Sequence, residues 1–88
     1  PAGAMGRSLE VQLTFRVCPP EEGMAEIRRK RIELKQAVLK LMSAKTTVEL
    51  EDPLRVEKLQ REVRLLVNKK VLKKAKVEEV YVTGFEVK

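Results

Sequence analysis

The sequence contains no histidine, no tryptophan and a single cysteine, Cys18. Without histidine the chain lacks the one side chain whose unperturbed pKa lies near neutrality, and with it the commonest metal ligand. A lone cysteine rules out a Cys/His zinc site. It also rules out a disulfide within the chain, so cysteine usage says little about redox compartment. Cys18 reads as a small apolar residue at a strand end, with a free thiol or an intermolecular bridge as the alternatives. Serine–histidine and cysteine–histidine nucleophile sets are excluded. The four glycines are scattered and build no phosphate-cradling loop. Adjacent carboxylates occur at Glu21/Glu22, Glu51/Asp52 and Glu78/Glu79. The first two pairs fit helix starts and the third flanks a strand, which explains them more simply than general acid–base chemistry. No catalytic, cofactor-binding or metal-binding residues emerge, and the expectation is a domain that binds protein, not an enzyme.

Aromatic residues are equally scarce: Phe15, Tyr81 and Phe85 make up 3% of the chain. The core must therefore be leucine, valine, isoleucine and methionine. No stretch approaches the roughly 18 apolar residues of a membrane span, and no signal peptide is visible. Residues 1–8, Pro-Ala-Gly-Ala-Met-Gly-Arg-Ser, show no apolar periodicity and lead abruptly into a strand pattern. They read as a remnant of cloning or protease cleavage ahead of a single domain over 9–88, with any upstream anchor cut away. The length of 88 residues suits one domain. At this size only about 60–65% of the unfolded surface is buried, so the core is thin. Charged residues at 36% beside apolar residues at 43% suit a folded, highly charged domain.

What is present is clear periodicity. Leu9, Val11, Leu13, Phe15 and Val17 alternate with Glu10, Gln12, Thr14 and Arg16, which predicts a half-buried strand. Pro19-Pro20 ends it. A helix is expected from about Glu21 to Ser43, with Met24, Ile27, Leu34, Val38, Leu41 and Met42 near one stripe. Arg31 interrupts that stripe; Ile32 and Leu39 widen it. Thr46 with Glu49 spells a capping box for a short helix. Asp52 then fits an N-cap and Pro53 a first helical position. They predict a second long helix from Pro53 to about Lys70 or Lys74, with Val56, Leu59, Val63, Leu66, Val67 and Val71 inward and a Glu57–Arg61 pair outside. Val77 to Val87 reads as a second strand with imperfect alternation. Val80 and Val82 share one face and Tyr81, Phe85 and Val87 the other, so both faces are expected to be covered, or one to meet a partner.

The expected class is α+β, ordered strand, long helix, short helix, long helix, strand. Two strands alone make a marginal sheet, and open edges invite pairing with another chain. Self-association follows as an expectation.

The net charge of +6 raises nucleic acid, anionic lipid or an acidic protein surface as partners. Arg28 to Arg31 and the lysines at 69, 70, 73, 74 and 76 are the candidate patches. Acids interleaved through both helices, and no aromatic residue among the basic ones for stacking bases, favour a solvated face. A basic nucleic-acid-binding module remains the alternative reading. Arg28, Arg29, Arg31, Arg55 and Arg64 are the candidates for partner contact.

Two segments carry more than periodicity: Leu39-Lys40-Leu41-Met42-Ser43-Ala44-Lys45-Thr46-Thr47-Val48-Glu49-Leu50, and Lys76-Val77-Glu78-Glu79-Val80-Tyr81-Val82-Thr83-Gly84-Phe85-Glu86-Val87. Together they resemble the C-terminal domain of the FliL family, flagellar basal body-associated proteins. That family shows a Leu-Leu-Ser-Ser-Lys-Thr stretch, then Glu-Leu, and closes with Val-x-x-Val-Tyr-Phe-Thr-x-Phe. The matching positions are Leu41, Ser43, Lys45, Thr46, Glu49 and Leu50 in the first segment. In the second they are Val77, Val80, Tyr81, Thr83 and Phe85. The spacing between them, with Lys58-Leu59 and a later Asn68, also fits. Ala44, Ala75, Val82 and Glu86 depart from the pattern. The resemblance implies a periplasmic domain similar to the stomatin-type (SPFH) fold, held to the bacterial inner membrane by an N-terminal helix absent from this sequence. It implies that the domain oligomerises and associates with the stator units that drive flagellar rotation. No cofactor and no nucleic acid are implied.

Overall fold

The computed structural model describes residues 9–87, and side chains for 9–86. Residues 1–8, read above as a remnant, lie outside the described residues. The elements run β1 (Leu9–Cys18), α1 (Pro20–Arg29), α2 (Arg31–Ser43), α3 (Thr47–Glu51), α4 (Arg55–Lys70) and β2 (Lys76–Val87). The two strands form one antiparallel sheet. The molecule is therefore α+β with helices on one face of a two-stranded sheet.

β1 follows its alternation: Leu9, Val11, Leu13, Phe15 and Val17 turn toward the core, and the residues between them stay exposed. β2 does the same by a less regular route. Leu13 pairs with Val82 and Gln12 with Gly84, so Thr83 is an extra residue. Arg16 pairs with Glu79 and Val17 with Val77, so Glu78 is a second one. Each bulge advances the side-chain phase by one residue. Val77, Val80, Val82 and Phe85 thereby all meet the core, opposite Val17, Phe15, Leu13 and Val11. This corrects the expectation that Phe85 shares a face with Tyr81, and of the two outcomes expected for the faces of β2 it removes the one in which the chain covers both. The outer face carries Glu79, Tyr81 and Thr83, all exposed.

The helix expected over 21–43 is two helices. The chain leaves helical geometry at Lys30 (φ −108°, ψ 21°), next to the Arg31 that breaks the apolar stripe. α1 lies on β1 and α2 lies on α4, so the bend lets two short apolar faces meet two different partners. Met24, expected inside, is 43% exposed, while Leu34 and Met42 are buried. Gly23 lies close against the sheet. A Cβ there would stand 2.6 Å from Val17 Cγ2 and 3.4 Å from the Ala75 methyl.

α3 starts as expected. The Glu49 amide donates to Thr46 Oγ1 at 3.2 Å, and the Thr46 amide donates to Glu49 Oε1 at 3.1 Å. α4 differs from expectation at its start, which is Arg55 behind Leu54 rather than Pro53 behind Asp52. Asp52 ends α3 instead, and its carboxylate accepts from the Leu54 amide at 2.7 Å and from Lys58 Nζ at 2.6 Å. Among the described residues the expected Glu57–Arg61 pair does not form. Leu59, Val63, Val67 and Val71 are buried as predicted, and with Leu72, Val77 and Val80 they form the centre of the core. At about 25 cal/mol per Å² of apolar area, each such side chain contributes about 1.5–3 kcal/mol relative to exposure.

Candidate interaction surfaces

The first family-like segment, over α2 and α3, and the end of the second, on β2, meet across a shallow cleft. Met42, Lys45, Leu50, Leu59, Arg55 and Phe85 are among its walls, and it encloses about 430 Å³ including space open to solvent. Lys45 reaches across the cleft to Glu62 on α4 and lies 3.7 Å from the Glu49 carboxylate. The Arg55 guanidinium stands over the Phe85 ring, 5.7 Å from its centroid, a cation–π arrangement. The carboxyl of Glu49 is held below its ordinary range, chiefly by the Thr46 amide and then the Thr46 hydroxyl. Asp52 is held below its range by the Lys58 hydrogen bond first and the Leu54 amide second, and Lys58 is raised in return. Each charge at the cleft thus has its partner within the fold.

The other segment residues separate by role. Val77 and Val80 are core; Leu41 and Leu50 are half-buried; Ser43 ends α2 in solvent. Thr83 donates its hydroxyl hydrogen to the Gln12 carbonyl at 3.2 Å, which ties down its own bulge. Tyr81 is exposed beside Arg16, whose pKa it raises, with Glu78 adding a 2.8 Å ion pair. Cys18 is an exposed free thiol at the strand end.

The five arginines considered for partner contact fall in three places. Arg28, Arg29 and Arg31 are exposed at the α1–α2 bend, Arg55 is on the cleft, and Arg64 is exposed along α4. The structure does not gather them into one surface.

Glu26 is a residue that periodicity does not single out. Its side chain is 1% exposed. Oε2 accepts from the Lys73 amide at 2.7 Å and from Lys30 Nζ at 2.8 Å. Oε1 accepts from the amides of Lys74 at 3.0 Å and Ala75 at 3.1 Å. Lys30 also donates to the Val71 carbonyl at 2.9 Å. One carboxylate thus satisfies three backbone donors of the turn between α4 and β2, where no ladder serves them. The Lys30 hydrogen bond and then the Lys73 amide hold its pKa down to about 2. The i,i+4 spacing of Glu26 and Lys30 is the only trace of this in the sequence.

Asn68 has a comparable role near the end of α4. Its carboxamide accepts from the Val77 amide at 2.7 Å and donates to the Val77 carbonyl at 3.0 Å. Both backbone groups of a strand residue point to the same side, so those of Val77 point away from β1. Asn68 closes the outer edge of β2 at its start.

Among the described residues, no helix is long and apolar enough to cross a membrane. No curated protein matches the chain. Residues 1–87 match the family model of the flagellar basal body-associated protein FliL, and the chain belongs to that family.

Proposed function

We propose that this chain is the interaction domain of a membrane-anchored flagellar motor protein that assembles with copies of itself and supports the stator units in torque generation and motility. The chain belongs to the flagellar basal body-associated FliL proteins, a structural family not known as an enzyme family. In the fuller reading a helix ahead of the domain holds it to the bacterial inner membrane. The domain then faces the periplasm, and its fold is of the stomatin (SPFH) type, with the sheet and its helices as the repeated unit.

The observation that carries self-association is the sheet. Among the described residues it has two strands and no third strand on either side, an arrangement stable only when packed or extended. Asn68 blocks β2 at Val77, while the outer edge of β1 carries no partner strand. Exposed apolar residues on the helices support a protein-covered exterior, among them Ile32 at 67% and Leu65 at 58% exposure.

Static light scattering across concentration tests this reading. The mass should rise above the 10.1 kDa of one chain as concentration increases. A mass that stays at the monomer value to millimolar concentration overturns self-association by this domain. Copurification with stator proteins from flagellated cells tests the stator role.

A further inference from the structure

We propose that the end of the domain built around Glu26 is a docking surface for an acidic polypeptide segment of a partner protein. This goes beyond the flagellar reading and does not depend on self-association.

Two basic clusters lie far apart in the chain, and the fold brings them together. Glu26 and Lys30 bind the backbone from Val71 to Ala75. That contact holds the end of α1, which carries Arg28 and Arg29, and the start of α2, which carries Arg31, near the turn that leads from α4 to β2. The turn and its flanks supply Lys69, Lys70, Lys73, Lys74 and Lys76, and all eight cations are exposed. None of the eight takes part in an ion pair among the described residues. The acid at the centre is already matched: Glu26 is buried and paired with Lys30.

The asymmetry is large. Eight formal charges here exceed the net +6 of the whole chain, so the other residues together carry −2. Such a concentration of one sign both attracts an anionic partner and orients it. Placing like charges side by side works against the fold, and Glu26 holds the turn together beneath them.

The chemistry of the surface selects the partner. Every exposed residue between Lys69 and Lys76 is a lysine, while Val71, Leu72 and Ala75 are buried. A bilayer surface is better engaged when apolar or aromatic side chains enter beside the charges, and this stretch offers none. Single-stranded nucleic acid asks for stacking platforms, and Phe15, Tyr81 and Phe85 are all on the strands. Planar guanidinium groups suit carboxylates, which they bind through two parallel hydrogen bonds. Arginines at 28, 29 and 31 framed by long-stemmed lysines fit a run of glutamate or aspartate side chains.

The test uses the whole 88-residue chain and a labelled oligoglutamate peptide, at an ionic strength of about 0.15 M so that diffuse attraction is screened. Lys70→Gln, Lys73→Gln and Lys74→Gln are combined in one variant. Lys40→Gln, Lys58→Gln and Arg61→Gln, exposed residues elsewhere, make a control with the same loss of charge. The first variant should bind the peptide about tenfold more weakly or worse, and the control within about twofold of the parent. A single Lys73→Glu change should weaken binding in the same direction and guards against a folding defect in the triple variant, as does a circular dichroism melt. Equal weakening in both triple variants, or no binding by the parent, overturns the proposal. So does binding to phosphatidylglycerol vesicles or duplex DNA, but not to the peptide, that the first variant loses.

Discussion

The Asn68 carboxamide is bonded to Val77 on both sides, accepting from its amide at 2.7 Å and donating to its carbonyl at 3.0 Å. A side chain on α4 thus stands in for a third strand at one residue of β2. Replacing Asn68 by alanine removes both bonds and leaves the backbone groups of a buried residue unsatisfied. The expected loss is about 2–3 kcal/mol, most of it desolvation of those two groups. The urea unfolding midpoint measures it. Asn68→Asp should also destabilise, because it keeps the acceptor and sets a carboxylate against the Val77 carbonyl.

Glu26 predicts a pH dependence with a definite sign. Its pKa in the folded chain is about 2, against 4.5 for the free side chain. The unfolded chain therefore binds more protons in that interval, and stability rises with pH through it. The stabilisation is complete above about 4.5 and is lost as pH falls toward 2. Glu49 and Asp52, also held low, act in the same sense. Unfolding midpoints measured from pH 2 to 7 should climb most steeply at the acidic end. Glu26→Gln should be less stable at neutral pH and flatter below it. An unchanged acid slope in that variant would show that Glu26 is not the group responsible.

Gly23 predicts the outcome of a single methyl. The added Cβ meets Val17 Cγ2 at 2.6 Å and Val17 Cβ at 2.8 Å. Val17 Cβ is fixed to a paired strand and cannot swing aside. Overpacking of this kind costs about 1–3 kcal/mol, against about 1 kcal/mol of helix propensity gained from alanine. Gly23→Ala should therefore lower thermal stability, whereas glycine to alanine in an exposed helix raises it. Ala75→Gly opens space at the same contact, and in the Gly23→Ala background it should recover little, because Val17 and not Ala75 is the near neighbour.

Thr46→Ala should cost about 1 kcal/mol, the usual worth of an N-cap hydroxyl. The loss should be nearly independent of salt, since the bonds at Thr46 are to backbone as well as to Glu49. Amide hydrogen exchange over α3 measures it locally, with the amide of Glu49 losing its protection first.

The elements are legible in the sequence where one interaction dominates. β1 is set by strict alternation with a core on one side only. The Thr46–Glu49 cap is local and needs nothing beyond four residues. The start of α4 escapes the pattern because Asp52 fits two local roles. Its carboxylate closes a turn onto Leu54 and reaches Lys58, and either use looks the same in a linear sequence. The break at Lys30 shows only as Arg31 interrupting a stripe. Lys30 itself is tied to the Val71 carbonyl, forty-one residues away. The candidate surfaces are harder still. Arg28 to Arg31 and Lys69 to Lys76 each stand out as patches, but their junction depends on the buried acid Glu26, whose partners are backbone amides with no signature in the side-chain sequence.

The two bulges of β2 decide where the strand tolerates a change of length. Thr83 and Glu78 are each one residue more than β1 has opposite them, so two extra residues are stored within twelve. Deleting either one returns that stretch to regular alternation: without Thr83, Gly84 follows Val82 and stays opposite Gln12, and Phe85 stays inward opposite Val11. Deleting any other residue of the strand, with both bulges kept, turns every residue on its far side the wrong way. Over evolutionary time β2 should lose a residue at 78 or 83 more readily than elsewhere along its length.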